Sequence, residues 1–328
     1  VDVYQTRILS LISEDRRLEA LDMTRKILRE IGIDLPVQPT ADDIRQILEQ
    51  TITDLSETNV EDLADLPEMT DPSKLAAMKI MGSIFGATYQ LSREWFVILV
   101  CEQVKLSFLH GNFSNSAIAY SGFGIILCGY IGDIETGHRF GRLGLEILNR
   151  FDARELEAEV YTIFYAGINH WKFHLKESLD PLLSAHYIGI ETGDYEFATY
   201  CTFFSSYHAF LCGNPLEDTE RQMARFTDDA RHHKQMHSDI YFSIFHQAVL
   251  NLMGKNEEPE NLAGAIFDEN TMKQELYNTN DTLALFYMHF CKTLLCYQFE
   301  AYQKAIQHAD LAEKLAGRVP GNVVVAVC

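Results

Sequence analysis

Residues 117–148 read AIAYSGFGIILCGYIGDIETGHRFGRLGLEIL. This stretch limits the possible folds more than any other. An uncharged half rich in apolar and small residues runs into Gly132-Asp133, and a mixed-charge half follows. In that second half Gly137, Gly141 and Gly144 stand at i, i+4 and i+7, positions that share one face of an α-helix. Glycine costs roughly 1 kcal/mol against alanine inside a helix, so three on one face require a compensating contact. Another helix packed too closely for any side chain to intervene supplies it. That is the helix-turn-helix of an α-solenoid, in which Gly132-Asp133 is the repeat turn.

Composition agrees with an all-α array. The chain has 328 residues, 47% of them hydrophobic, and only 8 prolines, so a large core is expected and an all-β fold is not. Its formal net charge is −20. Arg139 and Arg142, or Arg221, Arg225 and Arg231, share helix faces with acids, so no basic patch is available for nucleic acid or an anionic membrane surface. The charge selects basic or apolar partners, that is, proteins or peptides. The 7 cysteines form no CxxC pair and lie mostly in apolar helical stretches, which predicts buried reduced thiols and a cytoplasmic setting. Two uncharged runs, 106–132 and 197–216, reach the length of a membrane span, but interior Asn, Ser, Thr and His make them buried helices of a soluble array and predict no span. The chain starts without Met and ends in VVVAVC, and both ends read as cuts within a longer polypeptide.

Four regions follow from the helical periods. Residues 1–34 form a first helix pair that stops at Gly32. Residues 35–72 form an irregular acidic helical linker, with Thr40 as N-cap of ADDIRQILEQTI and a short helix over 60–65. Residues 73–317 form tetratricopeptide-like repeats of about 40 residues, with weakly charged helices starting near Leu75, Ser114, Ala153, Tyr195, Asp239 and Asp281. Residues 318–328 begin a further, truncated helix. Ala305, Ala309 and Ala312 repeat the small-residue spacing of the glycines. Gly193-Asp194 has the form of the turn inside a pair, although the 40-residue register places Tyr195 at the start of a first helix.

Several phrases resemble one family: RRLEALDMTRKILREIGIDLP, LPEMTDPSKLAAMKIM, VKLSFLHGNFSNSAIAYSGFGIILCGYIGDIETGHRFGRLGLEIL and INHWKFHLKESLDPLLSAHYIGIETGDYEFATY. They are similar to the helical region that follows the predicted AAA/STAND ATPase module in large bacterial, cyanobacterial-type serine/threonine-kinase and hybrid histidine-kinase signalling proteins. The resemblance covers nearly the whole chain. It implies a tetratricopeptide-like superhelix coupling ATPase or sensor modules to an output. It carries no catalytic residue here, since GxxxxGK[ST], the kinase HRD and DFG sets and a phosphoacceptor-histidine motif are all missing from the sequence. The expectation is a non-enzymatic regulatory segment in protein–protein signalling, with no cofactor.

Sharper chemistry was weighed at four places. His170 and His174, His233 and His237, and the Glu135–His138 ExxH have ligand spacing, but a zinc or di-iron site needs three or four convergent ligands, so no metal is expected. Gly122-x-Gly124 lacks the strand of a nucleotide loop and reads as close helix packing. Cys201, Ser205, Ser206 and His208 lie together in FATYCTFFSSYHAF and read as packing on a buried helix. Tyr161, Phe164, Tyr165, Trp171 and Phe173 fall on one helix, and Phe197, Tyr200, Phe203, Phe204, Tyr207 and Phe210 on another. Most are core, while Trp171, Tyr165, Tyr200, Phe204 and Tyr207 are candidates to line a groove for a peptide or small molecule. That leaves two alternatives to the regulatory segment: a sensor or enzyme using this groove, and a scaffold that homodimerises. The acidic stretch 54–71 is a candidate dock for a basic partner.

Overall fold

A computed structural model describes residues 2–14, 16–232, 236–279, 281–317, 319 and 321–323. Every named element among them is helical, with 16 α-helices. The β-type pairing is limited to two isolated bridges, Glu68 with Asn112 and Ala263 with Asp268. The fold is all-α, and neighbouring helices pack in solenoid fashion. The chain divides into two compact units at Leu156/Glu157.

The first unit holds α1 (Asp2–Ser13), α2 (Arg17–Glu30), α3 (Ala41–Leu55), α4 (Pro72–Gly82), α5 (Phe85–Leu91), α6 (Arg93–His110), α7 (Ser116–Ile126) and α8 (Ile134–Arg150). Local chemistry sets the helix starts. Thr40 and Asp43 form a reciprocal capping box at α3, and Asp133 accepts from the Thr136 N–H at α8. Gly132 takes the left-handed conformation, φ 80°, that lets the chain reverse between α7 and α8. α7 widens into a π-helical turn, Leu127–Ile131, before that reversal. The nesting of α7 and α8 is the expected one. A Cβ on Gly137 would stand 2.8 Å from the Gly124 carbonyl oxygen, and one on Gly144 2.8 Å from the Ala117 carbonyl oxygen. Gly141 is buried between them in sequence. Phe123 and Phe140 meet edge to face at 5.0 Å across the same pair.

The acidic region is fastened to the first unit and does not hang between domains. Glu61–Asp65 forms a 3-10 turn, as the sequence indicated. Arg139 pairs with Glu61, and Arg150 donates to the carbonyls of Ala64 and Leu66. The fully buried Asn112 side chain donates to the Leu63 carbonyl at 2.7 Å and accepts from the Tyr120 hydroxyl at 2.9 Å. A region acidic enough to look like a linker is therefore held by two arginines and an asparagine from 46 or more residues away in sequence, a distance no local pattern reports.

The second unit holds α9 (Glu157–Tyr161), α10 (Leu179–Thr192), α11 (Tyr195–Leu211), α12 (Leu216–His232), α13 (Met236–Leu252), α14 (Glu269–Thr279), α15 (Thr282–Gln298) and α16 (Tyr302–Ala316). Helix starts at Ser116, Glu157, Tyr195, Met236 and Thr282 follow the expected register within a few residues. Gly193, at φ 88°, joins α10 to α11, and these two helices also nest: a Cβ on Gly189 would meet the Ala198 Cβ at 2.8 Å. Close packing thus occurs across that turn as well. Its core is aromatic, with Phe203, Tyr207, Tyr241, Phe242, Phe245, Phe286 and Tyr287 buried together. In α16, Ala305 and Ala312 are buried, whereas Ala309 is exposed. The small-residue spacing there marks two contact positions, not three. Of residues 318–328, Val319, Asn322 and Val323 are buried; residues 318, 320 and 324–328 lie outside the described set.

Candidate functional site

The helix expected over residues 161–173 is broken three times. α9 ends at Tyr161, a π-helical turn covers Thr162–Ala166, and a 3-10 turn covers Asn169–Trp171. Thr162 Oγ1 donates to the Ala158 carbonyl at 2.8 Å and lies 3.2 Å from Cys201 Sγ, so the widened turn is tied to α11. A second 3-10 turn, Leu175–Ser178, leads into α10. His174 caps that turn, its Nδ1 accepting from the Lys176 N–H at 3.1 Å. His170 and His174 therefore do not share a helix face, which removes the i, i+4 ligand geometry.

The break brings Ser178 against the C-terminal half of α11 and His170, with Trp171 beside it, near enough to act on His208. Ser178 Oγ is 2.7 Å from His208 Nδ1 and 2.6 Å from the Leu175 carbonyl oxygen. A carbonyl only accepts, so the single hydroxyl proton goes to Leu175, and His208 must donate its Nδ1 proton to Ser178. His208 is thereby fixed as the Nδ1–H tautomer with its Nε2 lone pair free, and that atom is buried without a partner in the protein. The indole Nε1 of Trp171 is likewise buried and unpartnered, and the buried His170 ring has only the Ala166 backbone in reach. Burial lowers the His208 pKa to about 3, with a smaller push from His170. Burial lowers that of His170 to about 4, offset in part by the Ala166 backbone. Both rings are neutral at pH 7.

The groove candidates separate into two groups. Tyr207 is fully buried, stacked on Phe203 with centroids 5.8 Å apart, and its hydroxyl donates to Asn322 Oδ1 at 3.2 Å. Tyr200 is 8% exposed. Both belong to the core, since each points from α11 into the aromatic cluster. Tyr165, Trp171 and Phe204 remain partly exposed. Tyr165 and Phe204, with Tyr161 and Phe197, pack on a small cluster of Ala158, Leu182, Ala185 and Cys201. Phe204 meets the His208 ring at 6.0 Å, and Trp171 meets the His170 ring at 5.3 Å.

The other candidates resolve simply. Cys201 donates to the Ala158 carbonyl and its thiol is pushed up to about 12 by burial, so it is not an activated nucleophile. Ser205 Oγ points to the Leu179 carbonyl at 3.5 Å, and the partner of His208 is Ser178, not Ser205 or Ser206. A Cβ on Gly122 would collide with the Phe85 ring at 2.7 Å, which is close packing within the first unit. Among the described residues no three His, Cys, Asp or Glu side chains converge as metal ligands. His233 lies outside the described residues, as does the side chain of His237. No helix among the described residues is long and apolar enough to cross a membrane.

Ser178 was not singled out by sequence reasoning, although Pro181 in the following turn marks a helix start and so hints at a polar residue at its N-terminus. Buried Glu159 was missed as well. Its pKa is raised well above the usual carboxylate value by burial and by nearby Asp194 and Glu196. No protein-family model matches the chain, and no curated protein sequence matches it.

Proposed function

We propose that the chain is a non-catalytic helical-repeat segment that binds protein or peptide partners, other segments of its own polypeptide among them. In this reading it couples an ATPase or sensor module to the output of a kinase-type signalling protein, the setting that its sequence resembles. The observation that carries the proposal is the contact of helix on helix at Gly137, Gly144 and Gly189. There the helices pack too closely for a side chain to intervene, so a partner on one helix of a pair bears directly on the other. The Ser178–His208 pair supports the non-catalytic part. In an activated serine the hydroxyl donates to the imidazole, whereas here the imidazole donates to the hydroxyl.

The test places a photo-crosslinking amino acid at Phe173, which is 42% exposed beside the site, in the natural polypeptide within its host. A discrete protein adduct, within the chain or to another protein, is expected. Absence of any adduct there and at Tyr187 overturns partner binding on this face. Hydrolysis of ATP or of a phosphoprotein by the isolated chain, removed by a single substitution in it, overturns the non-catalytic assignment.

A further inference from the structure

We infer that the stretch around His170, Trp171 and His208 is a recognition site for an uncharged, planar small molecule that both donates and accepts hydrogen bonds, of the heteroaromatic or carboxamide class. The inference rests on the reading of the chain as a binding segment and names a ligand for it.

Three observations carry it. The first is an inventory of hydrogen-bonding atoms. His208 Nε2 is an acceptor, Trp171 Nε1 a donor, and the two nitrogens of neutral His170 are one donor and one acceptor. Trp171 Nε1 and His208 Nε2 are buried without a partner in the protein, and the His170 ring has only the Ala166 backbone in reach. Elsewhere in the second unit His186 Nδ1 lies 2.9 Å from the Ala198 carbonyl and His289 is held by Tyr277 and His308, while His246 has one nitrogen on Glu220 and its Nδ1 unpartnered, so it is the clustering at His170, Trp171 and His208 that stands out. Packing alone would be served better by leucine or phenylalanine at these positions.

The second observation is preorganisation. His208 is the fully buried member, and the Leu175–Ser178–His208 chain of hydrogen bonds holds its ring and its tautomer fixed before any ligand arrives. The third is the absence of charge at work on the rings. Burial and their mutual influence, with the Ala166 backbone, account for the state of both imidazoles, and no carboxylate, lysine or arginine among the described residues contributes. A charged ligand would lose its hydration there without finding a counter-charge, while a neutral one would not. Phe204 lies tilted at 55° to the His208 ring and Trp171 at 34° to the His170 ring, so the surroundings are aromatic and suit an aromatic ligand.

The sequence contains two tryptophans, Trp95 and Trp171, so an amide-labelled sample gives two indole N–H resonances, and Trp95 in the first unit serves as the internal control. The chain is titrated at pH 7 with nicotinamide, adenine and uracil, and with benzoate and benzylamine as charged planar controls. A saturable shift of the Trp171 resonance is expected with at least one of the three neutral compounds, with Trp95 unmoved and neither charged control binding. His208→Phe is expected to weaken that binding at least tenfold while leaving the Trp95 resonance in place. Should His208→Phe fail to fold, Trp171→Phe removes only the N–H donor at a partly exposed position, and ligand-detected saturation transfer reads the same loss. No saturable shift with any neutral compound, equal binding of a charged control, or full affinity retained in the folded variant overturns the site. Catalytic turnover by the chain would overturn its non-catalytic reading and leave this binding result standing, so the two failures are told apart.

Discussion

Gly144 in α8 lies directly over the Ala117 carbonyl of α7, with Ser121 Oγ beside it, and a Cβ added there would stand 2.8 Å from that carbonyl oxygen and in collision with the hydroxyl. Helix propensity alone says that Gly144→Ala should stabilise by about 1 kcal/mol. The backbone contact reverses the sign, because α8 must move off α7 to admit the methyl group, at a cost of roughly 1–3 kcal/mol. Thermal unfolding should show Gly144→Ala melting below wild type. Gly317 is the control: it has φ −65° and nothing within 4 Å of an added Cβ, so Gly317→Ala should be neutral or slightly stabilising. If both alanines stabilise, the two helices are not in backbone contact.

Asn112 holds the acidic region to the first unit through its side chain. Asn112→Ala leaves the Leu63 carbonyl and the Tyr120 hydroxyl without their partner, a loss of about 2–4 kcal/mol when two buried groups are stranded. Limited proteolysis should then cut within residues 56–71 well before the rest of the chain. Equal protection in the variant and wild type would show that Arg139, Arg150 and the backbone pairing of residue 112 with Pro67 and Met69 hold the region without the asparagine side chain.

What could be read in advance follows the range of each interaction. The Thr40 N-cap and the Gly132-Asp133 reversal obey rules that act within four residues, and they stand where the pattern put them. The helix expected through Trp171 failed because Thr162 reaches across to Cys201, 39 positions away, and such a contact leaves no mark on hydrophobic period. Tyr207 and Phe204 differ by three positions on α11 and could not be ranked as core and wall until the aromatic cluster of α13 and α15 was placed on one side of the helix. The Ser178–His208 pair, 30 positions apart, was invisible for the same reason. Glu159, set among charged residues in ELEAEV, is buried, and nothing in that local pattern marks it.

Glu159 and Asp194 make the second unit sensitive to rising pH. Burial raises both, Asp194 to about 7, and like charge adds to it, from Asp194 and Glu196 on Glu159 and from Glu196 on Asp194. Between the unfolded carboxylate value near 4 and the folded values, the native state holds protons that the unfolded chain has released, so stability falls as pH rises through that window. Glu159→Gln keeps the shape and removes the titration. Denaturant unfolding should show the variant more stable than wild type at pH 8, by about 1–2 kcal/mol, with the difference shrinking toward pH 5. A difference that is constant with pH would mean that Glu159 is not buried as a neutral acid.

The histidines work in the opposite direction. His289 Nδ1 lies 3.0 Å from His308 Nδ1, and its Nε2 lies 3.1 Å from the Tyr277 hydroxyl. Burial lowers the His289 pKa to about 4, helped by His308, Lys273 and Lys292, so the ring that binds α15 to α16 is neutral in the folded state. A histidine depressed on folding takes up its proton first in the unfolded chain, so its contribution is fully present above pH 6.5 and is lost as pH falls toward 4. His170 and His208 add to the same slope. His289→Gln, compared with its parent in the Glu159→Gln background so that Glu159 does not contribute and the Asp194 slope is common to both, should reduce the fall of unfolding free energy between pH 6.5 and 4.5 by at most about 1.4 kcal/mol per pH unit, one proton's worth. Chemical denaturation at four or five pH values measures it directly. An unchanged slope would mean that burial does not depress the His289 pKa on folding.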